Sequence, residues 1–267
     1  MRKMLLAIAA ASIVLSVVPG EAGTPAFGVA RPGKLLSFGA RQSGNWSGYN
    51  LGFLSDGHKQ FTQISGTWTV QTPSKHTAGV NEYSVTWVGI GGGCIDQGCL
   101  AVDGTLIQAG TGSYISSTGV RSYFAWWEII PGPILEIANF PVSPGDQMFV
   151  DIRQTIVGSD VWKIKVRNLS TGQLYKTTVP YWSSRLTAEW IEERPSVGGL
   201  PAPLPSLTNP RFNNAVVNKA PAHLKASNQI VMVEGSTRLA TPSAPDPDLN
   251  GFNVCTYTTV CGAPSGA

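Results

Sequence analysis

The residues best suited to chemistry in this sequence are carboxylates that alternate with aromatic side chains. Between Phe124 and Pro131, a β-strand would place Phe124, Trp126, Glu128 and Ile130 on one face, because side chains alternate along a strand. A carboxylate among aromatic side chains is unusual for a solvated face, and such surroundings raise the pKa of a carboxyl group. Glu128 is therefore a candidate for acid–base chemistry or for substrate binding.

A second segment, Ala188–Arg194, holds three glutamates within five positions. Strand alternation puts Glu189 and Glu193 on one face and Glu192 on the other, so the three glutamates are not equivalent. Two interpretations are open at this point. The glutamates are either surface charges on an edge strand, where charge discourages pairing with other chains, or members of a site.

Signatures of the common hydrolases and nucleotide-binding proteins are missing. The sequence has no HExxH zinc-protease motif, no GxSxG serine-hydrolase motif and no phosphate-binding loop. None of the three histidines (His58, His76 and His223) lies close to a cysteine, so no metal or cofactor site is predicted, and a Ser/His/Asp triad stays open. The net charge is +3 and basic residues are scattered, which gives no charge signature for nucleic acid or membrane surfaces.

Alternation of apolar and polar residues predicts antiparallel strands along most of the chain. The plainest case is Val161–Arg167, in which Trp162, Ile164 and Val166 face one way and basic residues face the other. Further strands are predicted at Ile64–Val70, Tyr83–Ile90, Leu106–Ala109, Ser122–Ile130, Met148–Ile156, Leu174–Tyr181, Thr187–Glu193 and Ile230–Glu234. With 30 glycines, 19 prolines and only 13% charged residues, the chain is predicted to be all-β, as an antiparallel β-sandwich of two curved sheets.

The N-terminus has the pattern of a secretory signal peptide. Arg2 and Lys3 precede the apolar run Met4–Val18, which is too short to span a membrane, and small residues follow. The mature protein is therefore expected to be secreted and extracellular, with no membrane association.

Three regions are expected from this pattern. Residues 1–22 form the signal peptide, and residues 23–43, which lack strand periodicity, form a leader or short propeptide. Residues 44–267 form a single β-sandwich domain.

Four cysteines lie in the exported part, and export makes disulfides the default interpretation. Four cysteines allow three connectivities, and the two close spacings favour Cys94–Cys99 and Cys255–Cys261. Metal binding is the weaker alternative, because this spacing is not that of a zinc finger.

Six short motifs occur in order along the chain. They are GNWSGY (Gly44–Tyr49), TWVGIGG (Thr86–Gly92), LIQAG (Leu106–Gly110), FAWWEIIP (Phe124–Pro131), NLSTGQ (Asn168–Gln173) and AEWIEE (Ala188–Glu193). Each motif alone is weak, but the ordered series resembles the glutamic peptidases, also called eqolisins, over about residues 44–260. The resemblance implies a sandwich of two antiparallel sheets, of the concanavalin-like or jelly-roll type, and the hydrolysis of peptide bonds in acid.

The resemblance also implies a catalytic pair. Carried over by position, the catalytic glutamine falls on Gln108 and the catalytic glutamate on Glu193, the last residue of its motif. In that chemistry Glu193 takes a proton from water and returns it to the leaving nitrogen, while the Gln108 amide holds the developing oxyanion.

Four more residues match positions that line the family's substrate cleft, namely Trp46, Trp87, Trp126 and Glu128. From the residues alone, Trp87 and Trp126 fit a core position equally well. Trp68 and Trp162 are predicted to be core residues outright.

The chain departs from the fungal members of that family at three positions. Where those members carry two aspartates and a tyrosine, this chain has Gly91, Gly112 and Ile130. These losses remove acidic and polar groups around the pair, so the resemblance leaves the pH dependence and the subsite preferences open.

Two other classes of function fit parts of the same pattern. Aromatic platforms with paired glutamates, such as Glu128 and Glu193, also describe a carbohydrate-active β-sandwich, either a glycoside hydrolase or a lectin-like module. A catalytically silent binding module is the third class, because a fold does not determine a function. On the preferred interpretation the partners are protein or peptide substrates, no cofactor or nucleic acid is bound, and the enzyme is a monomer.

Overall fold

The computed structural model describes residues 36–38 and 40–265, with side chains from Arg41 onward. Within these residues one turn of 3₁₀ helix occurs (Ala226–Asn228), and no helix is long and apolar enough to cross a membrane. The strands are β1 (Leu36–Phe38), β2 (Ala40–Ser43), β3 (Trp46–Gly52), β4 (Gln63–Thr69), β5 (Pro73–Ser74), β6 (Glu82–Gly91), β7 (Leu106–Ile115), β8 (Arg121–Ile129), β9 (Leu135–Glu136), β10 (Gln147–Gln154), β11 (Val161–Asn168), β12 (Leu174–Pro180), β13 (Thr187–Glu193), β14 (Ser196–Val197), β15 (Leu200–Pro201), β16 (Ser206–Leu207), β17 (Arg211–Val217), β18 (Ala220–Pro221), β19 (Gln229–Glu234), β20 (Thr237–Pro242) and β21 (Phe252–Thr256).

Most of the strands form two sheets, which we call the site sheet and the back sheet, while β5 with β16 and β14 with β15 form separate two-stranded sheets. The site sheet runs β9–β8–β7–β6–β13–β3–β19–β20, and these neighbours are antiparallel. The back sheet runs β12–β11–β10–β4–β17 and is also antiparallel. Strand β21 pairs with β17 of the back sheet and with β20 of the site sheet, so it links the two. The predicted all-β antiparallel sandwich is confirmed.

The main hydrophobic core lies between the inner faces of the two sheets. Trp68 and Trp162 of the back sheet pack there with Trp190 of the site sheet, and all three are buried. The core assignment of Trp68 and Trp162 is therefore confirmed. Alternating residues of each strand point away from this layer, so the outer face of the site sheet carries a second set of side chains.

Strand β13 lies inside the site sheet, between β3 and β6, and each of its residues is buried. The interpretation of its glutamates as surface charges on an edge strand is therefore wrong. A sequence pattern gives the faces of a strand but not its neighbours, which is why both interpretations had fitted.

The N-terminal strands belong to the site sheet. Strand β2 pairs with β1, and it also pairs in parallel with β19, where Arg41 lies opposite Ile230. The sheet thus includes residues 40–43, whose four positions are too few to show periodicity. The signal peptide and most of the leader, residues 1–35, lie outside the described residues, and the boundary at Ser43 stays a prediction.

Both favoured disulfides are present. Cys94 is bonded to Cys99 and Cys255 to Cys261, and the described residues contain no free cysteine. The first disulfide closes the loop that follows β6.

Candidate active site

Gln108 and Glu128 form a cross-strand pair on the outer face of the site sheet. Gln108 on β7 lies directly opposite Glu128 on β8, and Gln108 Nε2 donates a hydrogen bond to Glu128 Oε2 over 2.6 Å. Gln108 Oε1 is buried and has no hydrogen-bond partner among the described residues. This carbonyl oxygen is therefore free to accept a hydrogen bond from a further group, such as water.

Glu193 ends β13 and is held by two side-chain donors. Its Oε1 accepts a hydrogen bond from Asn45 Nδ2 over 3.1 Å, and its Oε2 accepts one from Trp87 Nε1 over 2.8 Å. The side chain is fully buried. Burial raises the pKa of Glu193 well above its ordinary value, whereas the Trp87 and Asn45 hydrogen bonds favour the ionised form and lower that pKa.

The carboxyl group of Glu128 influences that of Glu193. Burial raises the pKa of Glu128 to about 7, and the hydrogen bond from Gln108 lowers it. The charge of Glu128 in turn raises the pKa of Glu193. The negative charge of Glu128 therefore disfavours ionisation of Glu193, in addition to the larger effect of burial.

Trp87 covers the backbone between Gln108 and Glu189, and its indole nitrogen donates to Glu193. By backbone register Gln108 lies in the row of Gly89 and Glu189, and Glu193 lies two pleats further along β13. The Trp87 ring covers Gly89, where an added Cβ would lie 2.9 Å from Trp87 Cζ3. The indole therefore fills the space beside Gln108 on the Glu189 side, while its Nε1 points at Glu193.

Aromatic and aliphatic side chains surround the polar groups. Trp46 and Trp87 meet edge to face with ring centroids 5.0 Å apart. Both pack with Trp126, Leu106 and Ile230 in a cluster on the outer face, separate from the main core. Trp87 and Trp126 therefore lie on the outer face rather than in the main core, and their role in substrate binding stays a prediction.

Glu192 points to the inner face of β13. Its Oε2 accepts hydrogen bonds from Thr86 Oγ1 over 2.6 Å and from Gln71 Nε2 over 3.3 Å. Burial raises the pKa of Glu192 to about 8, and the hydroxyl donors Thr86 and Ser84 lower it.

Glu189 shares the outer face of β13 but lies at its other end. Its Oε1 comes so close to Gly93 that an added Cβ there would lie 2.4 Å away. Burial raises its pKa well above the ordinary value. The structure thus separates the three glutamates into three surroundings, and only Glu193 is affected by the charge of Glu128, the hydrogen-bond partner of Gln108.

Gly91, Gly112 and Ile130, the three positions that depart from the fungal family members, have close or apolar packing. A Cβ at Gly91 would lie 1.9 Å from the Thr105 carbonyl oxygen, and a Cβ at Gly112 would lie 2.2 Å from Cζ of Phe124. Phe124 therefore occupies the space into which a side chain at position 112 would extend. Ile130 packs against the outer-face cluster. The surroundings of the pair are accordingly more apolar than two aspartates and a tyrosine would make them.

Asn45 and Ser43 were missed by the sequence analysis. Asn45 contacts Glu193 directly, and Ser43 Oγ donates to Asn45 Oδ1 over 2.9 Å. The motif that contains Asn45 had drawn attention to Trp46 alone, and Ser43 had been assigned to the leader. Asn45 and Ser43 lie so far before Glu193 in the sequence that no local pattern connects them to it.

The described residues hold no group of three or more His, Cys, Asp and Glu side chains that could bind a metal ion. The chemistry that they offer is a buried carboxylate, a second carboxyl group coupled to it, and an amide with an unpartnered oxygen. A buried base, together with an amide that can hold an oxyanion, suits the addition of water to a carbonyl group.

Residues 44–250 match the sequence profile of the family described as the Peptidase A4 family. A comparison with curated proteins finds no significant match. The fold is similar to that of scytalido-glutamic peptidase crystallised with a transition state analog inhibitor, at 20% identity and a TM-score of 0.62 over 80% of this chain and 98% of that one. It is also similar to SCP-B, described as a member of the eqolisin family in complex with the tripeptide Ala-Ile-His, at 20% identity and a TM-score of 0.57 over 80% and 98% of the two chains. Aspergilloglutamic peptidase from Aspergillus niger matches at 22% identity and a TM-score of 0.54, over 66% of this chain and 99% of that one.

Proposed function

The chain belongs to the peptidase A4 family and is a glutamic-type endopeptidase, and we propose that it cleaves peptide bonds in acid with Glu193 and Gln108 as its catalytic pair. The observation that carries this proposal is the buried, unpartnered Gln108 Oε1 beside a carboxyl group, Glu128, that is coupled to Glu193. A water molecule between Gln108 Oε1 and Glu193 would be oriented by both groups.

The proposed reaction begins with the ionised Glu193. Its carboxylate takes a proton from the water, and the water oxygen forms a bond to the carbonyl carbon of the scissile peptide. The electron pair of the carbonyl double bond moves onto oxygen, and a Gln108 amide N–H holds the resulting oxyanion. The carbon–nitrogen bond then breaks as the nitrogen receives the proton from Glu193. One carboxylic acid and one amine leave, and Glu193 is ionised again.

Glu128 makes this chemistry suited to acid. Because its pKa lies at about 7, Glu128 is protonated in mild acid, and its charge then no longer adds to burial, the larger cause of the raised pKa of Glu193. Glu193 has two donors and Glu128 has one, so we expect hydrogen bonding to favour ionisation of Glu193. An amide has no charge to lose in acid, whereas a histidine base would be protonated there.

We further propose that Trp46, Trp87, Trp126 and Glu128 line the substrate cleft, and that the substrates are proteins or peptides. The N-terminal pattern and the two disulfides support export and an extracellular site of action. We propose that the exported enzyme acts as a monomer without a metal or cofactor.

The test is an assay of the purified secreted protein on denatured protein and on polysaccharides, in mild to moderate acid. We expect cleavage of the protein, no cleavage of the polysaccharides, and loss of cleavage in Glu193→Gln. Degradation of a polysaccharide that depends on both Glu128 and Glu193, without proteolysis, would contradict the proposal and support the carbohydrate-active alternative.

A further inference from the structure

The turn that leads from β2 into β3 contacts the carboxyl group of Glu193. Asn45 Nδ2 donates to Glu193 Oε1 over 3.1 Å, and Asn45 and Glu193 are both buried. We propose that Asn45, oriented by Ser43, is a positioning residue for Glu193, and that the active enzyme therefore retains Ser43 and the strand β2 that precedes it. This inference rests on the proposed role of Glu193 as the catalytic base.

The Ser43 hydroxyl determines which way the Asn45 amide points. Ser43 Oγ accepts hydrogen bonds from the backbone N–H of Asn45 over 3.3 Å and from that of Trp46 over 3.1 Å. Its single proton is therefore available for Asn45 Oδ1, which lies 2.9 Å away. With its oxygen held by Ser43, the Asn45 amide presents its NH₂ group to Glu193.

The turn is also fixed to the residue that follows Glu193. The backbone N–H of Arg194 donates to the Asn45 carbonyl oxygen over 3.0 Å, and Arg194 Nε donates to the Gly44 carbonyl oxygen over 2.7 Å. Asn45 and Glu193 are thus connected by a side-chain bond and by the backbone beside each of them. A displacement of the turn would move the carboxyl group as well.

Strand β2 anchors the other end of the turn. It pairs with β19 from Arg41 to Ser43, and the buried Arg41 guanidinium donates to Asn50 Oδ1 over 3.3 Å and to the Ser227 carbonyl oxygen over 2.6 Å. A leader that is removed does not need a buried arginine or a place in the sheet. Cleavage after Ser43 would remove the hydroxyl that orients Asn45, so we place maturation before β2.

The Asn45 bond has two effects on catalysis. It holds Oε1 of the carboxylate while Trp87 holds Oε2, which fixes the orientation of the group, and it lowers the pKa of Glu193. Without this donor the pKa of Glu193 would rise, and a larger fraction of the base would be protonated in acid. The acid limb of the pH profile would then move to higher pH.

The test compares Asn45→Ala, Asn45→Asp and Ser43→Ala in the full-length secreted chain. The matched control is Asn168→Ala, because Asn168 is also a buried asparagine in an Asn-x-Ser sequence, but it bonds to Asp146 beside the back sheet. For Asn45→Ala we expect kcat to fall about 10- to 100-fold with little change in KM, and the acid limb to move up by about one pH unit. Asn45→Asp should move the acid limb in the same direction, Ser43→Ala should show a smaller loss, and Asn168→Ala should keep the kcat and pH profile of the wild type.

Two results would overturn the inference. One is a folded Asn45→Ala enzyme with unchanged kcat and an unchanged pH profile, and the other is an active secreted enzyme whose N-terminus begins at Gly44 or later. An infrared titration of the carboxyl groups, assigned by comparison with Glu193→Gln, separates this inference from the proposed function. If the wild type cleaves no protein, the proposed function fails, whereas an Asn45→Ala titration identical to that of the wild type overturns the role of Asn45 alone.

Discussion

Glu192 and Glu193 are neighbours in the chain, and both are fully buried, yet their surroundings differ completely. Glu193 faces the outer side of the site sheet, where an indole and an amide donate to it and the charge of Glu128 acts on it. Glu192 faces the layer between the sheets, where it is bonded to Thr86 and Gln71. Burial raises both pKa values, so a raised pKa alone does not identify a catalytic carboxyl group. The coupled carboxyl group and the amide with an unpartnered oxygen distinguish Glu193.

The largest effect is expected from replacing Glu193. Glu193→Gln removes the base but keeps the size of the side chain, so cleavage of denatured protein should fall at least about 100- to 10,000-fold while the protein stays folded. Glu192→Gln is the matched control and should retain activity within a few-fold, because that side chain lies on the opposite face. Activity is measured as kcat/KM, and far-UV circular dichroism checks that each variant is folded. If Glu192→Gln loses activity and Glu193→Gln keeps it, the catalytic role has been assigned to the wrong glutamate.

The next effect concerns Gln108. Gln108→Ala removes the oxyanion donor and should lower kcat about 100- to 1000-fold, or roughly 3–4 kcal/mol in activation free energy. The double variant with Glu193→Gln should be little worse than Glu193→Gln alone, because residues that act as a unit do not contribute additively. Strict additivity in this cycle would mean that Gln108 acts independently of Glu193.

A smaller effect, on stability rather than activity, is expected from Glu192. Its pKa is raised from an ordinary value of 4.5 to about 8 in the folded protein, so between these pH values the folded chain holds a proton that the unfolded chain has lost. The free energy of unfolding therefore falls as the pH rises through this window, by up to about 1.4 kcal/mol per pH unit. Glu192→Gln cannot ionise, so thermal melts across this range should show a shallower decline in Tm than the wild type, and equal slopes would contradict the assignment.

The smallest effect on activity is expected from Glu189→Gln. Glu189 shares a face with Glu193 but lies two pleats away, roughly 13 Å along the strand. The Trp87 ring covers Gly89, which is the neighbour of Glu189 on β6. Its kcat should stay within a few-fold of the wild type, while its melting temperature should rise at neutral pH because a buried ionisable group is lost. If Glu189→Gln abolishes activity and Glu193→Gln does not, the positions carried over from the family are wrong.

Much of this arrangement could be predicted from the sequence, because a strand has a strict period of two. Alternation alone placed Trp126 with Glu128, and Glu189 with Glu193, on common faces, and it found strands in both sheets, although β3, β17, β20 and β21 were not predicted. The extent of β7 was underestimated, since the small residues from Gly110 to Ser113 give no contrast between apolar and polar positions. Gln108 was identified only through the family resemblance, because a single glutamine has no pattern of its own.

The errors concern relations between distant segments. Alternation could not tell that β13 lies between β3 and β6, so an edge strand had fitted equally well. Residues 40–43 lacked periodicity because β2 is short. They can be recognised as a strand only from their pairing with β1 and β19. The hydrogen bond between Asn45 and Glu193 joins residues 148 positions apart, and such a contact is visible only once the sheet is assembled.

The pairing of β2 also has a consequence for the order in which the sheet is assembled. Ser43 lies in one of the first strands to be made, but its sheet partner Met232 lies 35 residues from the end of the sequence. Contacts of such wide sequence separation form slowly, because much of the chain must be ordered before they are made. The pairing of β2 is therefore completed only after β19 has been synthesised, and a chain that ends before β19 lacks the sheet neighbour of the strand that carries Ser43.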